Sequence, residues 1–400
     1  MKIVMPSKVT QIIHTLQNAG YEAYAVGGCV RDSLLGREPD DWDITTNAYP
    51  EQIKGLFRRT VDTGIKHGTV TVMLGKEGFE ITTYRIDGVY EDSRHPKEVT
   101  FTASLAEDLK RRDFTINAMA YNDEAGIVDL FDGLLDINAK IIRAVGDPKE
   151  RFTEDALRIL RALRFSAQLD YSIDAETRKA IAELKDNLRQ ISKERIREEL
   201  KKLLLSDHPD KLREMKELGI TDVVLPEYNT ADQELIASLL RSEKNLYVRL
   251  SVLLYYLGDP EGILRGLKYD NETIKTVSTL VAHADDETDL SPEAVRRDIV
   301  RIGFKRMPLL FLVKRALSQN GEYIDNYETV FEKILSDADC ISLKDLKVTG
   351  DDLMQEFHLS PGKEIGEKLQ FLFDRVLEDP SLNEREKLLK LLHQEQEEHT

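Results

Sequence analysis

Two aspartates, Asp41 and Asp43, stand downstream of a Gly27-Gly28 pair that is followed, after two residues, by Arg31 and Asp32. On a strand, residues i and i+2 point to one face, roughly 6.5–7 Å apart along it. Two carboxylates so placed repel each other unless a cation lies between them, and a hard divalent ion such as Mg²⁺ suits oxygen ligands of this kind. A Gly-Gly turn that feeds a helix leaves backbone N–H groups free for an anion, and Arg31 adds a planar fork of donors. Asp-x-Asp alone is commonly a solvated turn. The Gly-Gly-x-x-Arg-Asp upstream changes its meaning, because a phosphate seat beside a metal seat is the least that phosphoryl or nucleotidyl transfer requires. Glu80, with Phe79 and Ile81 on either side, is either a solvated edge residue or a third acid near the pair.

A second group lies in the run Glu154-Asp155-Ala156-Leu157-Arg158, continued by Arg161 and Arg164. If 153–167 is one helix, Asp155 and Arg158 are neighbours at i and i+3, and the three arginines step along one side. A carboxylate beside a guanidinium offers acceptors next to donors. Cytosine and adenine present acceptors beside an amino group, whereas uracil and guanine present the reverse. A fixed Asp155–Arg158 pair would accept C and A and reject U and G, with Arg161 and Arg164 orienting Asp155 or reaching a triphosphate. The competing reading is a helix start capped by acids, with surface arginines.

These residues must be positioned by two kinds of element. The first 140 residues read as mixed α/β: an amphipathic helix at 8–20, strands at 21–26 and 41–46 around a short helix at 29–35, and a hairpin of 69–74 with 79–84 across residues 75–78. Residues 87–98 read as a loop, and 104–112 as a helix with Ser104 and Glu107 set for a capping box. After Gly146-Asp147-Pro148 the pattern becomes helical throughout, with 3.6-residue periodicity in eleven segments and no further strand. No fixed-period repeat is present.

Composition narrows the class. Four hundred residues exceed one core, and 41% hydrophobic with 32% charged residues is globular. Two distant cysteines, Cys29 and Cys340, exclude a disulfide framework and a cysteine zinc site. No signal-peptide core and no membrane-length apolar run is found, so a cytoplasmic location is expected. The net charge of −17 argues against a general nucleic-acid coat. The charge is uneven, however: residues 291–319 carry seven Lys/Arg against two Asp/Glu. Arg296, Arg297, Arg301, Lys305, Arg306, Lys314 and Arg315 there form either a solvated basic face or an RNA-backbone contact. None of the eight histidines forms a ligand pair.

The motifs together resemble the class II tRNA nucleotidyltransferases, the CCA-adding enzymes, of the Gram-positive, Bacillus-like kind. The likeness runs through the first 205 residues. It rests on Gly27-Gly28-x-x-Arg31-Asp32, Asp41-x-Asp43, Arg111-Arg112-Asp113-Phe114-x-x-Asn117-Ala118, Asp132-Gly133, Glu154-Asp155-x-x-Arg158-x-x-Arg161 and Ile191-Ser192-x-Glu194-Arg195. The helical remainder matches in length and composition only. The resemblance implies an α/β nucleotidyltransferase palm with a mixed sheet as head (1–146), then an extended all-α neck (147–205), body (206–270) and tail (271–400). It implies Asp41 and Asp43 as Mg²⁺ ligands, and Gly28, Arg31 and Arg112 on the nucleotide. Asp155 and Arg158 would read the base, with Arg161 and Arg164 beside them. A flexible loop with Asp92, Arg94 and His95 would serve the change from C to A. The implied partners are tRNA, CTP and ATP, with a homodimer as the assembly considered. Poly(A) polymerases share the head and neck motifs, partial CC- or A-adding enzymes belong to the same group, and a non-catalytic tRNA-binding protein is the other alternative. The acidic end of the chain, 394–400, and the presence of the loop favour full CCA addition.

Overall fold

The computed structural model describes residues 2–87, 99–228, 233–318 and 320–398. It divides into two compact units, Met1–Asp232 with Gly266–Lys268, and Gln233–Arg265 with Tyr269–Thr400. The expected head and neck, and part of the expected body, therefore share one unit.

The first unit is built on a seven-stranded mixed sheet. In chain order its strands are β1 (Ala23–Val26), β2 (Ile44–Thr46), β3 (Thr60–Gly64), β4 (Thr69–Leu74) and β5 (Glu77–Thr83), then, beyond a separate hairpin of β6 (Arg85–Asp87) and β7 (Val99–Phe101), β8 (Met119–Asn122) and β9 (Gly126–Asp129). The spatial order is β3-β4-β5-β2-β1-β8-β9. Only β2 with β5 is parallel. Ala23, Ala25, Val26, Ile44, Val70, Val72 and Ile81 are buried in it, as short β-branched runs between glycine turns require. The Ser7–Asn18 helix buries Val9, Ile12, Ile13 and Leu16, the stripe its sequence spells out.

Three expectations are corrected here. The hairpin turn is two residues, Gly75-Lys76, because Glu77 and Gly78 pair with Leu74 and Met73; Gly75 takes φ +71, which such a turn demands. The second strand starts at Ile44 rather than at Asp41. Strand pairing also recurs after Gly146: Ser172–Ile173 (β11) lies parallel to Ile141–Ile142 (β10).

The helical part of this unit comprises Pro148–Glu154, Leu157–Leu169, Ala175–Leu184 and Lys193–Leu204 as its longer members. The single helix expected over 153–167 is thus two, broken at Asp155 (φ −141, ψ 102). The Asp155 carboxylate accepts from Leu157 N at 3.0 Å, a local bond that competes with helix continuation. Leu157–Leu169 then buries eleven of its thirteen residues.

The second unit is helical throughout its described residues. Leu246–Leu257 is buried from Val248 to Leu254 and forms its centre. Asn271–Ala282, Pro292–Ile302 and Met307–Leu317 follow within a residue or two of expectation. Gly321–Ser336 is sixteen residues where only its last two turns were legible. Thr349 and Asp352 form a reciprocal cap on Gly350–Phe357, and Leu353, Leu372, Phe373, Val376, Leu388 and Leu392 pack beyond it. Both cysteines are free and buried. Among the described residues no helix is long and apolar enough to cross a membrane.

Candidate active site

Asp43 immediately precedes β2, and its carbonyl accepts from Val26 N, at the end of β1, at 3.0 Å. That bond brings the Asp41–Asp43 approach against the Gly27-Gly28 turn. The parallel register pairs Ile44 with Ile81, so one step back along both chains Glu80 stands beside Asp43. Burial raises the Asp43 carboxyl above the usual range, with Arg112 opposing and Asp41 adding to the rise. Glu80 is raised by desolvation and by the charges of Asp43 and Asp41. The three acids therefore share one field. Among the described residues, though, no group of three or more His, Cys, Asp or Glu is disposed to hold a metal. Two carboxylates with open positions suit a Mg²⁺-like ion, which takes one or two protein ligands and completes its shell with water and substrate phosphate.

The phosphate side is built from the Gly28–Leu34 helix and the segment before Asp113. Gly27 has φ +82, and a Cβ there would lie 2.8 Å from Arg112 Nη1. Arg112 pairs with Asp108 at 3.5 Å, and its Nε is buried with no partner among the described residues. Asp108 is fully buried, accepts from Thr45 and Arg111, and is held below the usual carboxylate range: burial opposes ionisation, but Arg111 and Arg112 outweigh it. This anchor was missed in the sequence, although its i−3 and i−4 spacing to Arg111 and Arg112 is a readable signal. Arg31 is less available than its motif suggests. It is 8% exposed, forks onto Asp32 at 2.9 and 2.8 Å, and donates to Asn117 at 2.6 Å.

A Gly27→Ala change tests this arrangement. The positive φ costs an alanine about 1–2 kcal/mol, and the methyl pushes Arg112 from its seat. We expect a lower midpoint in thermal unfolding and roughly tenfold weaker nucleotide binding by calorimetry, tenfold being about 1.4 kcal/mol.

The neck side chains lie elsewhere than a single helix would put them. Asp155 and Arg158 do not pair through their side chains. Asp155 is bound by Arg195 at 2.7 Å. Arg158 donates to Glu154 at 2.6 Å and to the carbonyls of Arg151 and Arg111 at 3.1 and 2.8 Å. Arg161 makes its side-chain bonds to Asp113, at 2.7 and 2.6 Å, and feels Asp155 only through its charge. Asp113 also accepts from Asn117 at 3.1 Å, so Arg31, Asn117, Asp113 and Arg161 form one chain from head to neck. Burial works against the Asp113 charge, but Arg161 and Asn117 hold the carboxyl well below the ordinary range. Arg164 pairs with Glu199 at 2.7 Å and stacks 3.9 Å from the centre of Phe165, whose ring also lies near Arg31 and Arg161. Desolvation lowers Arg164 to about 10. The sequence motifs contain Arg195, Asp113 and Asn117 without marking their partners, and the local pattern does not mark Phe165 as the ring the arginines share.

Family comparisons match this chain along most of its length. The poly A polymerase head domain matches residues 23–143, a probable RNA- and SrmB-binding site of polymerase A matches 170–232, and tRNA nucleotidyltransferase domain 2 matches 239–392. The CCA-adding enzyme of Pediococcus pentosaceus is 38% identical over 96% of both chains. The chain belongs to the CCA-adding enzyme family. The family's enzyme from Ligilactobacillus salivarius is 39% identical over 96% of this chain and 95% of its own. The crystal structure of the Bacillus stearothermophilus CCA-adding enzyme in complex with CTP superimposes with a TM-score of 0.84 at 30% identity, covering 99% of both chains.

In the second unit the cations of the expected RNA face are placed as follows. Arg296 is buried and tied to Asp339 and to the carbonyls of Leu377 and Glu378. Lys314 is buried on the carbonyls of Ala284 and Asp286. Arg297 pairs with Glu293 and Glu378, Arg301 with Asp286 and Asp298, Arg306 with Glu272, and Arg315 with Asp325 and Glu328. Of the seven cations, Lys305 and Lys314 form no ion pair among the described residues, and Lys314 is instead held by its two carbonyls. Asp92, Arg94 and His95, the expected flexible-loop residues, lie outside the described residues.

Proposed function

We propose that this member of the CCA-adding family adds and repairs the 3′-terminal CCA of tRNA without a nucleic-acid template, taking CTP twice and then ATP and releasing pyrophosphate. The observation that carries the reading is the placement of Asp41 and Asp43 against the Gly27 turn and Arg112, with the Asp155 and Arg158 neck in the same compact unit. In each cycle the tRNA 3′-oxygen forms a bond to the α-phosphorus and the bond to pyrophosphate breaks, so no side-chain nucleophile is required. Asp41 and Asp43 would hold a divalent ion, Mg²⁺ on grounds of ligand type, which would supply Lewis-acid activation of the hydroxyl and charge stabilisation. Glu80 acts on that site through its charge. Arg112, propped by Asp108, and the first N–H groups of the Gly28–Leu34 helix hold the phosphates. Arg31 shapes this seat by bracing Asn117 and Asp32.

Asp155 and Arg158 are assigned the base. Each already has protein partners, Arg195 for Asp155 and Glu154 for Arg158. A base with matching edges exchanges for part of those bonds, whereas a base with the opposite edges leaves buried charge unpaired. Arg161 and Arg164 hold the neck helix to Asp113 and Glu199. A cytoplasmic setting follows from a tRNA substrate.

The test is extension of a tRNA ending before its CCA, resolved at single nucleotides with Mg²⁺. Two additions with CTP alone and three with CTP and ATP are expected. A ladder of many A residues selects the poly(A) reading suggested by the head-domain match, and no extension at all overturns both.

A further inference from the structure

Between the Pro292–Ile302 and Met307–Leu317 helices, the turn Gly303-Phe304-Lys305-Arg306 holds a phenylalanine out in solvent. Phe304 is 51% exposed. Gly303 takes φ +99, where a Cβ would lie 3.3 Å from Arg306 Nη1, so the shape of the turn depends on a residue without a side chain. Phe304 forms a ridge between two concavities. One, of about 640 Å³, has apolar walls that include Val300, Leu335, Leu343 and Phe373. The other, of about 340 Å³, is bordered by Tyr247, Thr276 and Lys305.

The acids at these sites are already engaged. Asp345 accepts from Ile341 N and Ser342 Oγ, and Glu272 pairs with Arg306 and accepts from Thr276. Lys305 is exposed, with Nζ 5.8 Å from the Phe304 ring centre and no ion pair among the described residues. An exposed ring, an apolar wall and an uncompensated ammonium thus meet on one turn. A nucleobase carries a flat π-face with a phosphate attached to its sugar, which complements all three. An apolar protein segment would cover the wall and leave the ammonium unanswered.

We propose that this turn is a stacking contact for an outward-turned base of the tRNA, with Phe304 as the platform and Lys305 on a neighbouring phosphate. The proposal rests on the tRNA substrate assigned above. The 3′ end is occupied at the carboxylates of the first unit, so the stacked base belongs to another part of the molecule. Stacking accepts any base, as an enzyme that serves all tRNAs requires.

The test compares a full tRNA lacking CCA with an acceptor-stem microhelix of the same 3′ sequence. Phe304→Ala should weaken binding of the full tRNA about five- to hundred-fold, with kcat at saturating tRNA and all microhelix kinetics unchanged. Phe304→Trp should restore binding. Lys305→Glu should lower the salt dependence of tRNA binding by about one phosphate contact. Unchanged tRNA affinity in Phe304→Ala overturns the proposal, as does equal loss on both RNAs, which marks a structural role. A change of oligomeric state on sedimentation overturns it in favour of a contact between copies of the chain. If wild type extends neither RNA, the functional assignment itself has failed. Wild-type activity with an indifferent Phe304 removes only this contact.

Discussion

Asp43→Asn is expected to leave tRNA binding intact and to reduce CMP and AMP transfer by about a thousandfold or more. Losing one of two ligands removes several kcal/mol of metal-based stabilisation, and each 1.36 kcal/mol is a factor of ten in rate. The same variant should be at least as heat-stable as wild type without metal. Asp43 has a raised carboxyl in the folded state, so its ionised form opposes folding, and that opposition grows as pH rises through the shifted value. Asparagine removes the repulsion with Asp41 and Glu80. Added Mg²⁺ should accordingly raise the unfolding midpoint of wild type at pH 7.5 and raise that of Asp43→Asn much less. Single-turnover incorporation and thermal unfolding with and without MgCl₂ measure both effects. Near-normal transfer by Asp43→Asn would move the metal seat elsewhere.

The second large effect is on base choice. Asp155→Asn exchanges an acceptor oxygen for an amide donor. One mismatched buried polar group costs about 1–3 kcal/mol, so kcat/KM for CTP and ATP should fall about ten- to hundred-fold while UTP and GTP gain relative to them. Arg195→Ala, which releases Asp155 onto its single bond from Leu157 N, should narrow the discrimination by a smaller factor. Steady-state kinetics with all four nucleotides decides the matter. An equal loss for every base would place base reading outside the neck.

The stretch that carries the proposed metal and phosphate seats was legible as structure because its spacing is local. Gly27 through Asp43 is one continuous stretch, and the turn, helix and second strand follow from glycines and β-branched residues. The start of the second strand was not legible, since it depends on which β1 residue meets Asp43. The break at Asp155 was hidden for a related reason: Phe152, Leu157, Leu160 and Leu163 keep an apolar rhythm across it, and only the carboxylate's bond to Leu157 N interrupts the helix. Partners distant in sequence left no local trace, as with Arg161 and Asp113 or Arg195 and Asp155. The basic count over 291–319 hides its pairing, because besides Glu293 and Asp298 inside that window its counter-charges lie outside it, at Glu272, Asp286, Asp339, Glu378, Asp325 and Glu328. Phe304 stayed unremarked because one exposed aromatic has no sequence signature.

The chain of bonds from Arg31 through Asn117 and Asp113 to Arg161, together with the Arg158 bond to the Arg111 carbonyl, bears on how such enzymes can be recombined. A graft that joined the first 146 residues to the neck of a relative would cut through paired charges on both sides of the seam. In the converse graft, this chain's Arg161 would arrive without its acceptor unless Asp113 and Asn117 travelled with it. The interchangeable module in this protein is the sheet and its arginine helices together, and base preference is best transplanted as that whole block.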